Sequence, residues 1–246
     1  MSLKVAVFNN KGGVGKTTLS IILTEIALMK KKKVVAFEQD EQLNFYTSIS
    51  YLKEEKDFRD LLTLSAFPLK DDDFDIPAEL LIIDCPPGLD NPRTKLALKK
   101  SDFILIPVRP DIFSIMHIHK IIKMAGSYKE PFQFPLVKVG FMQGNTYDKT
   151  LAARVISKVI SEKGYPVIGN VPEYDRLRAS LSCGLKRWWS VGLTANQREY
   201  FELIYTRLEL LNKQLSEIKA DRERWRKSQY DYYDDPENPD ITQFPA

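Results

Sequence analysis

Lys11-Gly12-Gly13-Val14-Gly15-Lys16-Thr17-Thr18 follows the apolar run Leu3-Lys4-Val5-Ala6-Val7-Phe8. A strand that runs into a glycine-rich loop and then opens a helix is the layout of a phosphate cradle. The glycines let consecutive backbone N–H groups turn toward one anion, and Lys16 adds a point charge for β- and γ-phosphates. Thr17 brings a hydroxyl to where Mg²⁺ sits beside a bound nucleotide, and the helix N-terminus adds a favourable dipole. Asn10 stands where the common pattern has its first glycine, and Lys11 puts a second lysine inside the loop.

Outward from the loop, Thr18 to Met29 reads as a helix with Leu19, Ile22, Leu23, Ile26 and Ala27 at apolar spacing. Lys30 to Lys33 close it, their charges suited to the helix C-terminus. Val34-Val35-Ala36-Phe37 and Leu80-Leu81-Ile82-Ile83-Asp84 are short continuous apolar runs, as buried parallel strands require. Asp102 to Val108 and Leu136 to Met142 add two more strands. Helices are expected over Lys95–Lys100, Ile112–Ala125, Leu151–Lys163 and Leu193–Leu215. Tyr51 to Phe67 is read as one or two short helices, and Lys70 to Ile76 as an Asp-rich turn. This alternation predicts an α/β fold: a doubly wound, mainly parallel sheet with helices on both faces, of the P-loop NTPase type.

Composition sets the bounds. The chain has 246 residues, 43% of them hydrophobic and 28% charged, which suits one soluble domain with a full core. No apolar run approaches the length of a membrane span, and the start shows no basic-then-apolar leader. Two cysteines, Cys85 and Cys183, are too few for a disulfide framework, so the cytoplasm is the default compartment. All 36 basic residues fall within residues 1–227, against 28 of the 33 acids, which leaves that part at +8. The other five acids, Asp231, Asp234, Asp235, Glu237 and Asp240, lie in residues 228–246. The expected organisation is one domain over 1–227 and an acidic, disordered tail over 228–246. A basic body makes a polyanion a natural partner.

Carboxylates follow the loop at the ends of two strands. Asp84 closes its strand, where α/β sheets place their ligands, and reads as the Walker B acid of the Mg²⁺ shell. Cys85 beside it is read as a packed thiol rather than a nucleophile. His117 and His119 stand two apart on a helix and do not face one another, so they make no metal pair.

A lysine inside the phosphate loop resembles the deviant Walker A motif of the ParA/MinD family of ATPases. The resemblance extends along the chain in the family's order, from Lys4 to about Gly184. The family has Asp-x-Asp-Pro-Gln-x-Asn after its second strand. Here Asp40, Gln42 and Asn44 stand, while Glu38 and Glu41 replace the first Asp and the Pro. Asp-Cys85-Pro86-Pro87-Gly88 is similar to the family's Asp-x-Pro-Pro-Gly switch, and Asp102 to Val108 to its Ala-Asp-x-x-Leu-Ile-Pro-Val segment. The resemblance implies that Asp40 sits beside Mg²⁺ and helps position the attacking water; capping of the next helix is the plainer role. It implies that Gly88 brings an N–H near the γ-phosphate. It implies an adenine site at the end of the strand at 136–142, where Gln143 fits by position and Asn145 by residue type, and a neighbouring segment at Pro172.

The implied function is a switch. Mg²⁺ and ATP bind between two subunits, Lys11 of one reaches the phosphates of the other, and hydrolysis releases the dimer. A ParA-like member, of the Soj-like partition branch, would bind DNA without sequence preference and associate with the nucleoid when ATP-bound. A ParB-like or other adaptor would stimulate its hydrolysis, and the cargo would be a plasmid, a chromosome or a protein assembly. The loop's position near the N-terminus leaves no room for a preceding helix-turn-helix, which disfavours operator binding. Expected DNA contacts are Lys186, Arg187, Arg198, Lys213, Arg222, Arg224 and Arg226.

Two other classes compete. A MinD-like membrane ATPase ends in an amphipathic helix, whereas this chain ends Asp-rich with Pro236, Pro239 and Pro245, so no membrane partner is expected. A dethiobiotin-synthetase-like ligase lacks the early lysine. A nitrogenase-like iron protein needs cysteines placed otherwise than Cys85 and Cys183.

Overall fold

The computed structural model describes residues 2–66, 69–88, 90–143, 146–147, 151–173 and 194–233. β1 (Leu3–Val7) leads through the glycine loop into α1 (Lys16–Met29), and β2 (Val34–Glu38) follows. α2 (Asn44–Ile49) continues as a 3₁₀ turn over Ser50–Lys53, and β3 (Leu62–Ala66) comes next. Then follow β4 (Leu80–Asp84), α3 (Pro92–Lys100), β5 (Phe103–Val108) and α4 (Ile112–Gly126). β6 (Leu136–Gln143), β7 (Thr146–Tyr147), α5 (Leu151–Glu162), β8 (Val167–Glu173) and α6 (Ala195–Tyr233) complete the order.

The strands form one sheet in the order β3-β2-β4-β1-β5-β6-β7, with β8 also paired to β6. Every described pairing is parallel except β6 with β7. The doubly wound sheet expected from the sequence is therefore the fold. Because side chains alternate across a strand, Ala6, Phe8, Val35, Phe37, Leu81, Ile83, Ile104 and Ile106 share one face. That face packs with Ala97 and Leu98 of α3, Ile118 and Ile121 of α4, and Ile156 and Ile160 of α5. The opposite face carries α1, which contacts β1, β2 and β4. Phe8, Phe45 and Phe103 are wholly buried, each contributing about 1.5–3 kcal/mol of transfer free energy.

Two segments differ from the expectation. Leu62–Ala66, expected within a helical stretch, is a strand: among the described residues it lies at the sheet's edge and pairs only with β2. Val167–Glu173, where the sequence reading assigns no element, is also a strand, and its Gly169 lets α6 approach closely. A Cβ there would lie 2.3 Å from Ile204 Cγ1.

The chain divides into two compact units, Met1–Leu208 and Glu209–Ala246. The first holds the sheet and its helices. The second contains the later part of α6, which stays helical through Ser228 to Tyr233.

Strand order fixes where a ligand can sit. From β1 the chain crosses to β2 and β4 on one side and β5 and β6 on the other, so the switch point lies at the carboxyl end of β1. The glycine loop begins there.

Candidate nucleotide and metal site

Gly13 and Gly15 take φ of +71° and +99°, a region that a side chain on Cβ would make costly. Gly15 in that conformation is the residue from which α1 starts at Lys16. Lys16 is 7% exposed, and its Nζ donates to the Lys11 carbonyl at 2.9 Å, curling across the loop. Burial pushes the Lys16 ammonium down, while the charges of Asp84, Cys85 and Asp40 work the other way.

Parallel register sets Asp84 opposite Val7 on one side and Glu38 on the other, so both acids end strands beside the loop. Thr17 donates its hydroxyl to Asp84 Oδ2 at 2.7 Å, and Ser20 donates to Oδ1 at 2.9 Å. The Asp84 carboxyl is 1% exposed, and burial, helped by the Glu38 charge, pushes it up to about 7. A buried carboxylate oxygen next to a threonine hydroxyl is a hard-oxygen pair that suits Mg²⁺, which keeps waters and takes one or two carboxylates besides phosphate oxygens. The donor set fits the expected ion.

This predicts an unusual pH profile. A carboxyl raised in the fold holds its proton where the unfolded chain has lost it, so stability falls as pH rises from about 4 to about 7. Asp84→Asn removes that cost. Without nucleotide, the variant is expected to melt above the wild type at pH 8, by a margin of about 4 kcal/mol at most, since one unit is worth about 1.4 kcal/mol. The margin should vanish near pH 4. Thermal melts at both pH values check it, and equal melting at pH 8 would refute the buried acid's cost.

Lys11 is held differently from Lys16. Its Nζ makes an ion pair with Asp111 at 2.7 Å, and its backbone N donates to Asn9 Oδ1 at 2.9 Å. Asn9 Nδ2 in turn donates to the Pro107 carbonyl at 2.7 Å, which ties the loop's start to the end of β5. Asp40 follows β2, and its Oδ1 accepts from Gln42 N at 3.1 Å.

Thus Lys11, Gly12, Gly13, Val14, Gly15, Lys16, Thr17, Thr18, Asp40 and Asp84 gather at the carboxyl ends of neighbouring strands. Pro86, Pro87 and Gly88 follow Asp84 and Cys85; Pro86 is buried and Pro87 exposed. Gln143 and Pro172 lie on β6 and β8. Asn145, Lys186 and Arg187 lie outside the described residues. Arg198, Lys213, Arg222, Arg224 and Arg226 are all on α6; Lys213, Arg222 and Arg224 are exposed, and Arg224 pairs with Asp221. Cys85 is wholly buried and its thiol is pushed up by burial, as a packed thiol should be. Sequence reasoning missed Asn9, Ser20 and Asp111. Ser20 was findable, since it lies one turn beyond Lys16 on the face of α1 that meets β4; the other two partners are about a hundred residues from theirs.

Fold and site together define a P-loop nucleotide-binding protein with a second lysine in its loop. The CobQ/CobB/MinD/ParA nucleotide binding domain matches residues 5–185, and the chain belongs to that family. Maintenance of carboxysome distribution protein A of Halothiobacillus neapolitanus is 28% identical over 167 residues, 67% of this chain and 76% of that protein. A Borrelia burgdorferi B31 protein assigned to plasmid partition, bound to AMPPNP, superposes with a TM-score of 0.65 at 17% identity, covering 85% of this chain and 99% of that one. The septum site-determining protein MinD of Pyrococcus horikoshii OT3, complexed with Mg-ADP, gives 0.59 at 15% identity, covering 86% and 98%. Among the described residues no helix is long and apolar enough to cross a membrane.

Proposed function

We propose that this chain is a ParA-like ATPase that closes into an ATP-dependent sandwich dimer and positions a cargo on DNA. The observation that carries the reading is the second loop lysine. Lys16, buried beside Asp84, would serve the nucleotide of its own chain. Lys11 therefore supplies a charge that one subunit's nucleotide does not require, and a second subunit's nucleotide does.

In this mechanism the loop N–H groups of Gly12 to Thr18 and the Lys16 ammonium bind the phosphates and spread their charge. Thr17 and Asp84 would hold Mg²⁺, which would supply charge neutralisation at the phosphate oxygens. Asp40 orients the attacking water from the loop after β2. Lys11 crosses to the partner subunit's phosphates and stabilises the charge that develops there. Loss of the γ-phosphate removes the contacts of Asp40 and the Gly88 segment, and the dimer opens. Gln143 or Asn145, with Pro172, would read the adenine.

The ATP dimer would hold DNA through Lys and Arg contacts to phosphate, with α6 supplying Arg198, Lys213, Arg222, Arg224 and Arg226. A ParB-like or other adaptor would stimulate hydrolysis, in the cytoplasm and on the nucleoid. The relative named for carboxysome distribution favours a protein assembly among the possible cargoes. DNA binding by the ATP-bound chain is expected to fall steeply with salt, about tenfold or more between 50 and 200 mM if several phosphates are contacted. Filter binding or fluorescence anisotropy checks this, and binding that ignores salt or nucleotide would sink the DNA switch.

One observation favours a second reading. Leu210, Ile218 and Trp225 are 57%, 37% and 65% exposed and interleave with Lys219, Arg222 and Arg224 on α6. An amphipathic face of that kind suits a MinD-like membrane surface. Co-sedimentation with anionic liposomes in ATP, run beside the DNA assay, separates the two.

A further inference from the structure

The loop between β2 and α2 departs from the family's pattern at two positions, Glu38 and Glu41, and the geometry connects them. We infer that Glu38 is the positioning residue for Asp40: its carboxylate ties both ends of the Asp40 loop, replacing the brace that a proline at 41 gives. The inference rests on the role proposed for Asp40.

Glu38 ends β2 and is wholly buried. Its Oε1 accepts from Asp40 N at 2.8 Å. Its Oε2 accepts from Phe45 N at 2.8 Å and Tyr46 N at 3.3 Å. Phe45 and Tyr46 are the second and third residues of α2, whose first N–H groups have no partner within the helix. The residue at the cap position is Leu43, which has no side-chain oxygen. Glu38 therefore caps α2 from the neighbouring strand, at the N–H groups a local cap would satisfy.

Leu43 itself takes φ +54°, a left-handed conformation that costs a branched residue about 1–2 kcal/mol. Such a conformation persists where its surroundings over-determine it. Here both flanks are fixed by one carboxylate. Between them Leu43 N donates to the Asp40 carbonyl at 3.1 Å, closing a four-residue turn with Glu41 second. The second position of such a turn is the one proline pre-sets. Glutamate is one methylene longer than aspartate, and that length lets a single carboxylate reach both the loop and the helix. Glu41 makes an exposed ion pair to Arg93 at 3.9 Å, which is worth little.

The test uses the full chain with Glu38→Asp, Glu41→Pro, the double variant and Asp40→Ala. ATP turnover and the Kd of a fluorescent ATP analogue are measured for each. Glu38→Asp is expected to lower kcat about ten- to a hundredfold, since misplacement by about an ångström has that effect, with Kd unchanged within about twofold. Adding Glu41→Pro should return kcat to within about threefold of wild type by restoring the brace. Glu38→Gln keeps the reach but turns an amide N–H₂ toward one set of donors; it should fall and recover the same way, and it stands in if Glu38→Asp does not fold. Wild-type kcat in the Glu38 variants, a parallel loss of Kd, or no recovery with proline would each overturn the inference. Asp40→Ala separates the two levels. If it turns over ATP normally, the proposed role of Asp40 fails; if it is inactive while the Glu38 variants are not, only the brace fails.

Discussion

Lys16→Gln is expected to weaken ATP binding by about 30-fold or more, because truncating one member of a buried charge contact typically costs about 2–5 kcal/mol. The geometry makes this position severe. Lys16 is 7% exposed, stretched across the loop to the Lys11 carbonyl, and adjacent to a buried acid. Glutamine has neither the charge nor the reach to meet two phosphate groups. The loss should not come from unfolding, since the substitution removes a charge that burial already disfavours. Its side effect has a definite sign: without the nearby ammonium, the Asp84 carboxyl shifts further up, so the variant carries more neutral Asp84 at pH 7. Isothermal titration with ATP and Mg²⁺, backed by circular dichroism, checks both points. Wild-type affinity in a folded variant would refute the phosphate loop.

How much of this was legible in the sequence follows from the range of each interaction. Val34–Phe37, Leu80–Ile83 and Phe103–Val108 are central strands buried on both faces, so they read as unbroken apolar runs. Leu62-Thr63-Leu64-Ser65-Ala66 has only Leu62 buried, being an edge strand, and no run marks it. Val167–Glu173 is broken in sequence by Gly169, Asn170 and Pro172, although Gly169 is what the packing of Ile204 demands. The phosphate loop was legible because its chemistry lies within eight residues. Thr17 and Asp84 could be paired because each carries its own local signature, a loop and a strand end. Asn9 with Pro107 and Lys11 with Asp111 are joined only by the fold, and Asp111 looks like any turn acid in Arg109-Pro110-Asp111. Glu38 is intermediate. Its difference from the family's aspartate was visible, but the meaning of one extra methylene needed the positions of Phe45 and Tyr46.

Asp40→Ala is expected to bind ATP and dimerise yet lose about 10²–10⁴ of its hydrolysis rate, the range a positioned acid–base group contributes. Binding should survive because the phosphates are held by the loop and by Lys16, whose Nζ is placed by the Lys11 carbonyl. What alanine removes is the carboxylate that turns on Gln42 N and faces the end of the sheet where Lys16 and Asp84 lie. The Glu38 clamp should keep the loop's backbone in place, because it acts on Asp40 N and not on its side chain. The loss then falls on the chemical step. With hydrolysis blocked, nothing withdraws the γ-phosphate, so the dimer becomes the end state: gel filtration after removal of free ATP should show a dimer in the variant and a monomer in the wild type. A variant that hydrolyses ATP as fast as the wild type and returns to monomer would assign the water to another group and leave Asp40 with only its turn-forming bond.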